Sequence, residues 1–142
     1  MAQVVFDTNF LMKVTSQPLP ALRDFLVNSD LILTTIPEVV KELEGLALNR
    51  KPLTSRKATN ALRFVGTSIQ LMQCSAESPQ VEADIALYEQ AKSLDDGSFV
   101  ATLDGKLLSR FEKNKLPYLT LRHDRPFVRT FSRATYLSTK KR

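Results

Sequence analysis

Carboxylates are the only plentiful catalytic side chains in this sequence. Its 142 residues include one histidine, His123, and one cysteine, Cys74. A zinc site built from histidine and cysteine needs more ligands than that. A Ser–His–Asp triad would depend on His123, which lies in a basic tail with no nucleophile turn beside it. A Cys74–His123 dyad has no local support either. Fifteen Asp and Glu residues remain. If they hold a catalytic metal, their hard oxygen ligands point to Mg²⁺ or Mn²⁺.

Two of these acids stand out by position. Asp7 directly follows the β-rich run Gln3-Val4-Val5-Phe6, and Asp104 follows Ser98-Phe99-Val100-Ala101-Thr102 after one leucine. Ligands of a parallel sheet bind beyond the carboxyl ends of its strands, so both acids fall on one edge. Ordinary structural roles exist for each: an Asx turn for Asp7, and the N-cap of a helix opening at Gly105-Lys106 for Asp104. Two more acids are placed by helical geometry. With Val39 as origin, Leu43 lies near 40°, Leu46 near −20° and Glu42 near −60° at about 100° per residue. With Val81 as origin, Ile85, Tyr88 and Asp84 take about the same angles. Glu42 and Asp84 therefore hold the shoulder of an apolar stripe. Glu82 and Glu89 point toward solvent, and Glu38 suits the helix N-terminus through the macrodipole. A carboxylate turned toward a core pairs with Lys or Arg or binds a metal. Four crowded on one edge repel one another unless a divalent ion sits among them.

The elements that must position these acids alternate. Strands are expected at residues 3–6, 31–35, 98–102 and 117–121. Between them come a helix after Pro18 and Pro20 (Leu22, Phe25, Leu26), one opened by Pro37 (Val39, Val40, Leu43, Leu46, Ala47), a break at residues 45–52, and a longer helix from about Ser55. Ser78-Pro79 starts a further helix, and residues 106–114 form the last. Asp7-Thr8-Asn9 reads as a polar turn, and Asp95-Asp96-Gly97 as a solvated turn whose acids are reserve ligands. This order predicts an α/β fold, a three-layer α/β/α sandwich with a central parallel sheet. One domain spans 1–122, and 123–142 forms a basic extension packed on it or trailing from it, unstructured from about Ser138.

Charge is segregated. Residues 1–44 carry six acids and three bases, 45–76 five bases and no acid, 77–121 eight acids and five bases, and 122–142 seven bases against Asp124. Basic blocks beside an acidic pocket suit an enzyme that handles a polyanion. Arg50, Lys51, Arg56 and Lys57 are the expected phosphate contacts, together with Arg125, Arg129 and Arg133, whose four-residue spacing would form a stripe on a helix. Phe127 and Phe131 share that spacing and are expected to dock the tail. There is no bilayer-length apolar run and no signal-peptide pattern, and the lone Cys74 suits a reducing compartment. A cytoplasmic location without membrane association is therefore expected.

Four segments, in order, resemble the PIN-domain nuclease family: Val4-Val5-Phe6-Asp7-Thr8-Asn9; Pro37-Glu38-Val39-Val40-Lys41-Glu42-Leu43; Ala83-Asp84-Ile85-Ala86-Leu87; and Phe99-Val100-Ala101-Thr102-Leu103-Asp104-Gly105-Lys106-Leu107. The resemblance covers residues 3 to about 122. It implies that Asp7, Glu42, Asp84 and Asp104 are catalytic metal ligands for Mg²⁺ or Mn²⁺, oriented by Thr8, Asn9 and Thr102. It also implies a metal-dependent endoribonuclease whose partner is RNA, with a homodimer as the common assembly. Leu103 departs from the family, where many members are polar. The closing stretch, 106–122, looks more like archaeal PIN proteins akin to ribosomal-RNA-processing nucleases, which implies a ribosome-assembly partner. A VapC-type toxin with an antitoxin and a non-cleaving PIN-like RNA-binding module remain the alternatives.

Overall fold

The computed structural model describes residues 2–71 and 82–131. Cys74, the Ser78-Pro79 helix start, Val81, Arg133 and the segment from Ser138 lie outside them.

Strand β1 (Gln3–Phe6) is short and buried from Val4 to Phe6. Helix α1 (Thr8–Ser16) follows immediately, with Asp7 as its N-cap and Phe10 and Leu11 in the core. The polar trio expected as a turn is thus the start of a helix. The residue types that favour Asx turns are also those that cap helices, so composition does not separate the two. Helix α2 (Pro20–Asn28) and strand β2 (Ile32–Thr35) lie where the sequence puts them. Helix α3 (Pro37–Ala47) has Pro37 at its first turn and buries Val39 and Leu43. Gly45 is inside it, so the break is confined to residues 48–51. Helix α4 (Pro52–Ser68) starts at Pro52, three residues earlier than expected. Proline lacks only an N–H that the first turn leaves unused, so it opens a helix as readily as it ends one. Ser55 Oγ donates to Ala47 O at 2.6 Å, tying the start of α4 to the end of α3.

The two-residue strand β3 (Gln70–Leu71) is not visible in the sequence pattern. Helix α5 (Ala83–Ala91), strand β4 (Phe99–Ala101), helix α6 (Gly105–Lys113) and strand β5 (Tyr118–Arg122) follow. Residues Arg125–Arg129 form strand β6, not the helix their spacing suggests. A four-residue interval returns to the same face of a strand as well as of a helix, because the strand period is two. His123 and Asp124 both take positive φ (54° and 61°), as a two-residue type I′ hairpin between β5 and β6 requires.

Among the described residues, the sheet has six strands in the order β3-β2-β1-β4-β5-β6, parallel except for the antiparallel edge β6. Crossovers in such sheets are right-handed. Going outward from β1 to β3 and then returning to β4 therefore puts α1–α4 on one face and α5–α6 on the other, a three-layer α/β/α sandwich. The direction reverses between β1 and β4. That gap is the topological switch point, where the carboxyl ends leave a crevice. Among the described residues, no helix is long and apolar enough to cross a membrane.

Glu112 on α6 holds the edge hairpin. It accepts from Arg129 Nε at 3.0 Å and Nη2 at 2.9 Å, and from the Tyr118 hydroxyl at 2.8 Å. The bonds from Arg129 and then Tyr118 hold its carboxyl below the usual glutamate range. A lowered folded-state pKa stabilises above the unfolded value, and the stabilisation is lost as pH falls through the folded value. Glu112→Gln is therefore expected to lower the melting temperature slightly near neutral pH, the pair being exposed. The gap to wild type should close below about pH 4. Melts across that range check it, and a gap that widens in acid would contradict the account.

Candidate active site

Asp7 is the most buried acid in the described chain, at 6% exposure. Its backbone N–H donates to Ala101 O at 2.9 Å, extending the β1–β4 ladder by one bond. Beside it, the Thr35 hydroxyl donates to Phe6 O at 2.8 Å. The carboxylate therefore emerges at the switch point with no freedom in the chain that carries it. Its Oδ1 accepts from Thr8 N–H and its Oδ2 from the Thr102 hydroxyl, each at 2.6 Å. Thr102 Oγ1 in turn accepts from Asp104 N–H at 3.1 Å. One buried hydroxyl thus sets the positions of two acids on neighbouring elements.

Asp104 also caps α6, accepting from Lys106 N–H at 2.9 Å. The capping role and a place in the site are compatible, since a cap uses one oxygen and leaves the other. Glu42 extends from α3 and accepts a hydrogen bond from the Thr8 hydroxyl. Asp84 lies in the first turn of α5, where its Oδ1 faces Ile85 N–H at 2.9 Å. The face of α5 that the sequence put inward is not the buried one: Ile85 is 44% exposed, and Leu87 and Ala91 are buried. Apolar residues surround this helix almost evenly, which leaves angular arithmetic little to find. Measured from Leu87, Asp84 still sits about 60° round the axis, on the shoulder.

Asp7, Glu42, Asp84 and Asp104 all line one cleft of about 540 Å³, with Asn9, Lys41, Glu38 and Glu82. Among the described residues, six acids face one lysine there. Glu38, Lys41 and Glu82 were not singled out from the sequence. Angular position ignores place along the axis, and a helix that begins where a strand ends puts its first turn at the carboxyl edge whichever way its side chains turn. Asp95 and Asp96 precede β4, at the opposite edge of the sheet, and do not line this cleft. Arg50, Lys51, Arg56 and Lys57 lie in the 48–51 connection and on the start of α4, off the cleft wall. Arg125 and Arg129 lie on β6, with Arg129 bound to Glu112.

Among the described residues, none of the four acids pairs with a Lys or Arg. Burial pushes the Asp7 carboxyl above its ordinary value. The Thr102 and Thr8 bonds oppose this, and the charges of Glu42 and Asp104 add to it. The all-oxygen donor set and its uncompensated negative charge fit a hard divalent cation. Among the described residues, no three ligand side chains form a ready-made cluster. Mg²⁺ commonly keeps several waters and takes few protein oxygens, so an open set of acids suits it. Asp7→Asn keeps the shape but removes the buried charge. It is expected to stabilise the chain in EDTA by about 1–2 kcal/mol, a rise of roughly 2–6 °C in melting temperature. Thr102→Val, which strips the bonds to Asp7 and Asp104, should destabilise it by about 1–3 kcal/mol. Both are read by thermal melts, and an Asp7→Asn protein less stable than wild type in EDTA would refute the charge account.

No protein-family model matches the sequence, and no curated protein matches it. Among solved structures, the chain is similar to that of the PIN domain endonuclease Utp24, with a TM-score of 0.68 and 22% identity over 91% of this chain and 92% of that one. At that identity the likeness is one of fold, and it extends over nearly the whole of both chains: this chain has the PIN-domain fold.

Proposed function

We propose that the chain is a divalent-metal-dependent endoribonuclease that hydrolyses RNA phosphodiester bonds at the acidic cleft, in RNA processing. The observation that carries this reading is the meeting of Asp7, Glu42, Asp84 and Asp104 in one cleft at the switch point, with no Lys or Arg pairing them among the described residues. The likeness of fold to a PIN domain endonuclease supports it.

Asp7, Glu42, Asp84 and Asp104 would hold Mg²⁺ or Mn²⁺. When bound, such an ion polarises a phosphoryl oxygen and makes water a usable nucleophile near neutral pH. The protein's own part is orientation. Thr102 and Thr8 fix both oxygens of Asp7, so its carboxylate cannot turn away from the cleft. The Thr8 hydroxyl steers Glu42, and the α6 N-terminus steers Asp104. Asn9 is exposed on the same wall, placed to meet substrate. Six acids repel a bare polyanion, so RNA enters this cleft only when cations offset them.

Incubating the protein with labelled structured and single-stranded RNA in Mn²⁺, Mg²⁺ or EDTA tests the proposal. Cleavage is expected with either metal and not in EDTA. Asp7→Asn and Asp104→Asn should each slow it at least about a hundredfold. Cleavage that persists in EDTA or in Asp7→Asn would overturn the mechanism, and salt-sensitive binding without cleavage in any metal would leave a non-cleaving RNA-binding module. A second prediction concerns the ion alone. Mn²⁺ should raise the melting temperature of wild type and leave Asp7→Asn nearly unmoved. An equal rise in both would place the ion elsewhere.

A further inference from the structure

Helix α6 and the β5–β6 hairpin enclose a second groove, of about 740 Å³, whose lining includes Leu103, Gly105, Thr120, Arg122, Phe127 and Arg129. Leu103 and Gly105 are the chain neighbours of Asp104, which lines the acidic cleft. The two depressions therefore meet at the N-terminus of α6.

The wall of this groove is cationic and aromatic. Across the hairpin, Arg122 faces Arg125, Thr120 faces Phe127, and Tyr118 faces Arg129. Residues directly opposed in an antiparallel pair project from the same face. Arg122, Arg125, Phe127 and Arg129 thus share the face that α6 covers only in part. The guanidinium carbon of Arg122 lies 3.7 Å from the centroid of the Phe127 ring. Glu112 also lines the groove, but its charge is met by Arg129. Arg122 and Arg125 make no ion pair among the described residues.

Aromatic rings and guanidinium planes are the surfaces on which unpaired bases stack, and arginines beside them meet the phosphates. Among the described residues, the acidic cleft has one lysine against six acids, a poor grip for a polyanion by itself. We propose that the α6–hairpin groove is the track for a single-stranded RNA segment flanking the scissile bond, with a base stacked on the Arg122–Phe127 pair and phosphates met by Arg122 in the groove and by Arg125, which stands opposite it at the end of the hairpin. This rests on the endoribonuclease reading of the cleft for the direction of the strand. It assigns a binding role to Arg122 and Phe127, two residues outside the acidic site.

Fluorescence anisotropy of a short labelled single-stranded RNA, titrated with the full chain in EDTA, reads binding without cleavage. Phe127→Leu, which keeps an apolar side chain but no ring, is expected to weaken binding about tenfold. Phe127→Tyr should retain wild-type affinity. Arg122→Gln, at an exposed position on the hairpin, should weaken binding and reduce the slope of log affinity against log salt by about 0.7. In Mn²⁺ with RNA below saturation, cutting should slow in the same proportion. Wild-type affinity in both Phe127→Leu and Arg122→Gln, or no RNA binding by wild type in EDTA, overturns the groove. Binding that depends on Phe127 in a protein that cuts nothing sustains the groove and overturns the nuclease reading instead.

Discussion

The structure turns on keeping one carboxylate charged inside a protein. Asp7 ends the central strand of the sheet, and the two strands beside it hold its backbone and that of Phe6 through the Ala101 carbonyl and the Thr35 hydroxyl. Burial opposes its ionisation, and Glu42 and Asp104 make this worse. Hydrogen bonds from Thr8 and Thr102 offset part of that cost. They also do what a looser contact could not, fixing both oxygens in one orientation. Thr102 can serve Asp7 and Asp104 together only because β4 runs parallel to β1 and ends at the same level. Sheet order, strand register and the caps of α1 and α6 are therefore all conditions on a single charged group.

Local stability and chemistry are at odds around that group. A cleft with six acids and one lysine is a poor arrangement for a folded chain on its own, and buried apolar residues elsewhere must offset it. The core does this close by: Val4, Val5, Phe6, Phe10 and Leu11 flank Asp7 in sequence and are fully buried. The charge is thus carried on chain whose neighbours are fully buried. Rigid support of that kind is what a site needs if its oxygens are to stay in place when an ion or a phosphate arrives.

How much of this was legible in the sequence depends on which kind of regularity carried it. Short apolar runs ended by polar residues marked β1, β2, β4 and β5, and the rule that sites lie at carboxyl ends then marked Asp7 and Asp104. Glu42 followed from angular position, because α3 has one apolar face. The stripe that marks Asp84 in the sequence runs through Ile85 and is not the buried one. The angle of a residue at a helix start says nothing about how near it stands to the sheet edge, which leaves Glu38 and Glu82 unmarked in the sequence. Strand β3 has two residues and no periodicity to detect. The C-terminal arginines were read as helical because four-residue spacing fits a strand equally well, and only the His123-Asp124 turn distinguishes the two. Position 103, where Leu departs from the resembled family, proves to pack against the core and to border the second groove.

Segregated charge in the sequence does not translate directly into a charged surface. The block that includes Arg50, Lys51, Arg56 and Lys57 lies off the acidic cleft, and in the second block Arg129 is committed to Glu112. Among the described residues, Lys41 is the one cation on the wall of the cleft, too little to cancel six carboxylates. On the proposed reading, metal and RNA assist each other at the cleft: the ion offsets the carboxylates that repel the phosphates, and the phosphates add negative charge and oxygen ligands that hold the ion. Linkage makes that assistance reciprocal, so tighter metal binding in the presence of RNA implies tighter RNA binding in the presence of metal by the same factor. A cleft dominated by acids therefore takes its ion without RNA, whereas RNA settles there well only once that ion is present.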